Sequence, residues 1–192
     1  MARRKTVTKE QILDTAYYLV SHQGFGSLTA RNIAQQIGCS TQPIYLTFKN
    51  MGELRDALFE RIYKHLEEDI YSAEHTGDPI IDMALNYVEF AKKEPRLYTA
   101  LFLEKDKEHR MVKFTYDYFY KLVKSHERYK GLDEGEVETL LSGTWVIATG
   151  VASLAASGTI HPDKKVKAQL MRDAIQAFSG LDHKIDLINL DA

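Results

Sequence analysis

The 192-residue sequence predicts an all-α protein of about nine helices. Three observations carry that reading. Nearly every periodic stretch repeats at helical spacing, the four prolines fall near element boundaries, and no run alternates apolar and polar residues long enough for a strand. With 44% hydrophobic and 27% charged residues the chain suits one or two small globular domains, which excludes disorder, collagen-like repeats and a disulfide scaffold. Cys39 is the single cysteine, no charged-then-apolar leader opens the sequence, and the expected compartment is the cytoplasm.

A first helix is expected from Thr8, because Thr8 and Gln11 stand in capping-box spacing and Ile12, Leu13, Ala16, Tyr17, Leu19 and Val20 then form one apolar stripe ending near Gly24. Thr29 caps a short second helix with Ile33, Ala34 and Ile37 on its inner face, stopped by Gly38. Ser40 is read as the cap of a third, running to Phe48, with Ile44 and Phe48 turned inward and Pro43 in the first turn, where proline is tolerated. Beyond Met51 a long helix is predicted from about Glu53 to His75 on the stripe Leu54, Ala57, Leu58, Ile62, Leu66 and Ile70, ending before Thr76-Gly77-Asp78-Pro79. Further helices are expected at Pro79 to Lys93, Arg96 to Glu104, His109 to Lys130, Glu134 to Ser157 and Lys164 to Leu181, followed by a loosely held tail. Two domains follow, 1–52 and 53–192.

The charge is unevenly spread. The whole chain is −2, but residues 1–50 hold six cationic residues (Arg3, Arg4, Lys5, Lys9, Arg31, Lys49) against Glu10 and Asp14, so this stretch is +4 and the remainder −6. A phosphate backbone attracts such a basic head, while the acidic body limits unspecific sticking. Charge alone leaves an accidental asymmetry as good an account.

Two short helices separated by Gly38-Cys39 have the form of a helix-turn-helix, whose second member lies in the major groove. Nine residues from Ser40 to Phe48 span about 13 Å, close to the roughly 12 Å width of that groove. With Ile44 and Phe48 buried, Thr41, Gln42, Pro43 and Tyr45 face outward. Thr41 and Gln42 suit hydrogen bonds to bases, Pro43 a thymine methyl, and Tyr45 and Lys49 phosphates. Thr29 and Arg31 bring a hydroxyl and a guanidinium to the phosphates, and the arm Arg3-Arg4-Lys5 offers a further groove or backbone contact.

Gly24-Phe25, Leu28-Thr29-Ala30-Arg31-Asn32-Ile33-Ala34, Gly38-Cys39-Ser40, Ile44-Tyr45 and Phe48-Lys49-Asn50, closing on Glu53-Leu54, resemble the DNA-binding domain of the tetracycline-repressor (TetR) family. The resemblance covers about 45 residues with the family's spacing kept. It implies an N-terminal three-helix helix-turn-helix DNA-binding domain and a C-terminal helical bundle that binds an effector and dimerises. The expected function is that of a sequence-specific transcriptional regulator, a repressor released from a double-stranded DNA operator by a small molecule. Thr29, Arg31, Thr41, Gln42, Pro43, Tyr45 and Lys49 occupy positions that contact DNA in the family. Where members often place a lysine at the start of the fourth helix, this sequence has Met51, with Lys49 two residues earlier. The alternative is a bundle whose tri-helical head binds a protein instead.

In the body, Ser142 to Ile160 is uncharged for nineteen residues, but its hydroxyl residues and glycines, with no flanking aromatic belt, argue against a membrane span. Thr144, Ala148, Ala152 and Ala156 recur every four residues as a smooth ridge, and the final helix offers Leu170, Met171, Ala174, Ile175 and Phe178. The resemblance implies that these two helices pair with their symmetry mates in a homodimer. On pattern alone the same stripes serve nearly as well inside one chain. Aromatics concentrate between head and ridge, and Tyr87, Phe90, Tyr98, Phe102, Tyr118, Trp145 and Thr149 are the candidates for a pocket taking a small apolar or amphipathic effector. Helically spaced aromatics are more often plain core. Trp145-Val146-Ile147-Ala148-Thr149-Gly150 also resembles a Trp-x-x-x-His-Gly signature of one C-terminal subgroup, with Thr149 in place of histidine.

Neither an enzyme nor a cofactor is expected. The seven histidines are scattered, and no His-Glu-x-x-His, nucleophile elbow or glycine-rich phosphate loop occurs. A di-iron bundle would need two Glu-x-x-His pairs, and the nearest approach is a single Asp106-x-x-His109. Cys39 reads as a small side chain filling the tight turn.

Overall fold

The computed structural model describes residues 7–104, 109–181 and 183–185. The basic arm Arg3-Arg4-Lys5, Asp106 and most of the expected tail lie outside the described residues. Among those described there are nine α-helices and no strand. The chain divides into two compact units. Residues up to Leu66, together with Arg96–Leu103, form the first; Glu67–Pro95 and the described residues from Glu104 onward form the second.

In the first unit, α1 (Lys9–Gln23) opens with the expected capping box: Gln11 N–H donates to Thr8 Oγ1 at 3.2 Å, and Thr8 N–H to Gln11 Oε1 at 3.1 Å. Its buried stripe of Ile12, Ala16, Leu19 and Val20 packs with Ile33 and Ala34 of α2 (Ala30–Ile37), Ile44 of α3 (Gln42–Thr47), and Leu54, Leu58 and Ile62 of α4 (Met51–His65). Two boundaries depart from the pattern. Helix α3 begins one residue later than a cap at Ser40 requires, because that cap would accept from the third helical N–H, which at Pro43 does not exist. The turn is closed by backbone instead, Ile44 N–H donating to Thr41 O at 3.1 Å. Helix α4 begins earlier than Glu53, because Asn50 caps it by accepting the Glu53 N–H at 2.9 Å.

Helix α4 does not run unbroken to His75. After His65 it continues in π-helical turns, Leu66–Tyr71, as the chain passes between units. The stretch expected as one helix from Arg96 is a single turn, α6 (Pro95–Tyr98), followed by π turns over Thr99–Leu103. Arg96 Nη1 donates to His22 O at 2.6 Å, fastening this segment to the end of α1.

The second unit is built on α5 (Pro79–Lys93), which is buried along nearly its whole length and packs on α7 (Arg110–Ser125), α8 (Glu134–Ala156) and α9 (Lys164–Ser179). Asp78 caps α5, accepting from the N–H groups of Ile80 and Ile81 at 3.1 and 3.3 Å. Helix α7 stops at Ser125, short of Lys130, and residues 126–131 form a turn that returns Arg128 and Tyr129 to Asp78, each donating at 2.7 Å. The Asp82 carboxylate gathers the N–H groups of His75, Thr76 and Gly77 and the Thr76 hydroxyl. Burial pushes the Asp82 carboxyl up, but those donors outweigh it and hold it below the usual carboxylate value. Helix α8 is long and apolar enough to cross a membrane by length and composition, yet half of its most apolar stretch is buried within the chain. Gly143 admits the Phe178 ring, since a Cβ there would stand 2.5 Å from it.

Candidate nucleic-acid interface and effector cavity

The turn between α2 and α3 depends on Gly38. Its backbone is left-handed (φ 79°, ψ 38°), a conformation in which a side chain's Cβ crowds the following carbonyl. In that conformation the N–H groups of Gly38 and Cys39 both donate to Ala34 O at 2.9 Å, ending α2 and redirecting the chain. Cys39 is half-buried in the turn. Ile44 and Phe48 then press α3 onto the core, with the Lys9 ammonium 5.7 Å from the centre of the Phe48 ring.

The start of α2 is fixed just as firmly, by Thr29 and Asn32 together with Ser27, which no motif singled out. Ser27 is buried with its hydroxyl within hydrogen-bond reach of Leu19 O and Gly24 O. The Asn32 amide donates to Ser27 O at 2.9 Å, and Asn32 N–H donates to Thr29 Oγ1 at 3.1 Å. Thr29 thus caps α2 while its own proton remains available to an acceptor outside. The signal was present in the Ser27-x-Thr29-x-x-Asn32 spacing, but only the bend at Gly24 brings the Leu19 carbonyl within reach.

Of the seven residues expected at DNA, Thr29, Arg31, Thr41, Gln42, Tyr45 and Lys49 are exposed, Tyr45 to 53%. Pro43 is half-buried and less outward than its place in the sequence suggests. Leu46, which the pattern passed over, is 78% exposed. Lys49 N–H donates to the Glu53 carboxylate at 2.6 Å, so the backbone leading from α3 into α4 is held as well.

In the second unit, Ile80, Met83, Ala84, Tyr87, Tyr116, Phe119, Leu141, Thr144, Trp145, Ala148 and Met171 line a partly open cavity of about 30 Å³. Tyr87 and Trp145 are there as expected, their rings 5.8 Å apart. The other five candidates are not on its wall. Tyr98 and Phe102 belong to the first unit, Phe90 is core, the Tyr118 ring lies tilted against that of Tyr71, and Thr149 follows the wall residue Ala148 without lining the cavity itself. A concentration of aromatic residues has no means of separating wall from core, because both present the same apolar face.

The ridge also turns inward. Thr144, Ala148 and Ala152 are buried within the chain, as are Met171, Ala174 and Ile175 of α9, while Ala156 and Phe178 are half-buried. Small residues at four-residue spacing let α5 and α9 of the same chain approach α8. The large apolar residues left outward on these two helices are Val146, Leu154, Val166 and Leu170.

The N-terminal region matches the family described as bacterial regulatory proteins, tetR family, over residues 12–58, and the body matches the tetracyclin repressor-like C-terminal domain over residues 80–178. The chain belongs to the TetR family. Its fold is shared by a transcriptional regulator of Vibrio parahaemolyticus, 18% identical with a TM-score of 0.61 over 89% of this chain and 96% of that one. A TetR-like regulator of Rhodococcus sp. RHA1 is 19% identical, TM-score 0.61, over 93% and 100%. FadR of Bacillus subtilis, solved in complex with stearoyl-CoA, is 17% identical, TM-score 0.58, over 92% and 100%.

As a TetR-family member the protein is a DNA-binding transcriptional regulator and not an enzyme, and a protein-binding head is not favoured. In this TetR-family chain Met51 is the first residue of α4 and half-buried. The lysine often found there is absent, and the exposed Lys49 is the nearest cation before it.

Proposed function

We propose that this regulator is a homodimeric repressor that holds a two-fold DNA operator in the cytoplasm through residues 1–52 and is released by a small uncharged effector bound within residues 53–192. The observation that carries the DNA reading is the outward set Thr41, Gln42, Tyr45 and Lys49 on a helix anchored by buried Ile44 and Phe48. Thr41 and Gln42 read base edges, with Pro43 beside them; Tyr45, Lys49, Thr29 and Arg31 hold phosphates. The dimer contact is the outward face of α8 and α9, with Val146, Leu154, Val166 and Leu170 against the same residues of a second copy.

The effector reading rests on the cavity wall, which carries no charged side chain among the described residues. A charge buried there would have no counter-charge, so the ligand is neutral. About 30 Å³ is room for one water, against the several hundred a drug-sized ligand fills. Entry therefore requires Met83 and Met171 to yield, as flexible thioethers do. Displacing Met171 shifts α9 and with it the dimer face, and a fivefold change in operator affinity needs only about 1 kcal/mol of differential binding. The acyl-CoA bound by the Bacillus subtilis FadR carries phosphates that this wall is not built to neutralise.

Selection from random duplexes by the purified protein, followed by footprinting, is expected to return a two-fold symmetric site whose affinity falls with a log–log salt slope near −0.9 per neutralised phosphate. An asymmetric winner, or none, overturns the reading. For the effector, emission from Trp145, the chain's single tryptophan, is expected to change on titration with neutral aromatic compounds and not with their carboxylates.

A further inference from the structure

Leu46 is the most exposed of the large apolar side chains of the described residues, at 78%, and it stands on the helix whose other outward residues are polar. Its direction follows from helix geometry. At 100° per residue, Leu46 lies 200° from Ile44, the residue that anchors α3 to the core, and only about 40° from Gln42 one turn earlier. Gln42 and Leu46 therefore form one row on the face opposite the core, about 6 Å apart along the axis. Pro43, by contrast, sits beside Ile44 and is half-buried.

A leucine has nothing to offer a phosphate or the polar edge of a base. In the major groove one feature answers it, the C5-methyl of thymine, which cytosine, adenine and guanine lack. We propose that Leu46 reads a thymine methyl about two base pairs from the base edge hydrogen-bonded by Gln42, so that one row of α3 combines a polar and an apolar reader. Six ångströms along the helix against 3.4 Å per base along a strand sets that spacing. The inference rests on α3 entering the major groove and adds a residue to that interface.

The test starts from the operator returned by selection. Each thymine is replaced in turn by deoxyuridine, which removes the methyl and leaves the hydrogen-bonding edge untouched. With the wild-type protein, one deoxyuridine position per half-site is expected to weaken binding about fourfold, the worth of one buried methyl. The variant Leu46→Ala should lose affinity for the thymine operator by a comparable factor and should no longer distinguish deoxyuridine from thymine at that position. Because Leu46 is exposed, its thermal unfolding should match wild type, which separates reading from folding. Equal affinities of wild type and Leu46→Ala overturn the proposal, as does a loss that is the same on thymine and deoxyuridine. A deoxyuridine effect that persists in Leu46→Ala assigns the methyl to another residue and also overturns it. An operator with no deoxyuridine-sensitive position defeats Leu46 alone, whereas failure to select any operator defeats the groove placement of α3 as well.

Discussion

The two units bury different things. In the first, the buried side chains among the described residues are apolar with one exception, Ser27, and polar groups work at the surface as helix caps and as the outward face of α3. In the second, Asp78, Asp82, Asn86, Thr115, Thr139, Ser142, Thr144 and Lys167 are all buried. A unit that meets a polar ligand from outside keeps its core oily and its polar atoms exposed. A unit with an apolar cavity inside turns some of its polar atoms inward and must satisfy each one with a specific partner. The first should therefore fail through its backbone turns, and the second through its buried polar anchors.

The largest effect is expected at Asp78. One carboxylate caps α5, pairs with Arg128 and accepts the hydroxyl of the buried Tyr129. Asp78→Ala removes a cap worth about 1 kcal/mol and strands a buried hydroxyl at a cost of about 2 kcal/mol, roughly 3 kcal/mol together. Arg128 is half-exposed and rehydrates. Thermal unfolding followed through Trp145 should fall by roughly 10 °C. In a Tyr129→Phe background the same substitution should cost distinctly less, because no hydroxyl is left behind. Equal losses in both backgrounds would mean that the cap, and not the buried pair, holds this end of the unit.

The corresponding weak point of the first unit is Gly38. A valine in its left-handed conformation costs about 2 kcal/mol, and the strain falls on the turn that aims α3. Gly38→Val should lose operator affinity steeply while Trp145 emission stays at its wild-type position. Gly38→Asn should retain most of both, since asparagine tolerates that backbone. If valine and asparagine behave alike, the turn does not set the direction of α3.

This contrast also accounts for what the sequence discloses. Caps and glycine turns act over three or four residues, so Thr8 with Gln11, Thr29, Gly38 and the inward pair Ile44 and Phe48 are legible by spacing alone. So are α5 and α8, announced by Asp78-Pro79 and Asp133. The second unit's devices are long-range: Asp78 meets Arg128 and Tyr129 fifty or more positions away, and Tyr71 meets Thr115. No periodicity encodes such a pairing, and for the same reason a small-residue ridge cannot say whether the helix it admits belongs to its own chain or to a copy. The late start of α3 was legible in principle, from a proline standing where a cap needs an N–H.

The smallest effect is a gain in stability at Lys167. This lysine is buried on α9 with Glu89 as its ion-pair partner at a long 3.9 Å, and burial lowers its pKa from 10.5, with Glu89 opposing the shift and Lys92 and Lys164 adding to it. Lys167→Met keeps the aliphatic stem and removes the desolvated charge, and Glu89 is exposed enough to do without a partner, so stability should rise by about 1 kcal/mol. The sign of the pH dependence tests the cause. Below the folded pKa the lysine is protonated in both states and its burial penalty is complete. As pH climbs from there toward 10.5 the folded state sheds the proton first, and the penalty fades. The advantage of methionine should therefore be greatest at neutral pH and shrink in alkali, as read from denaturant unfolding of both proteins across that range. An advantage that does not vary with pH would trace the gain to packing and leave the buried charge without a cost. The contrast between the units would then rest on Asp78 and its partners.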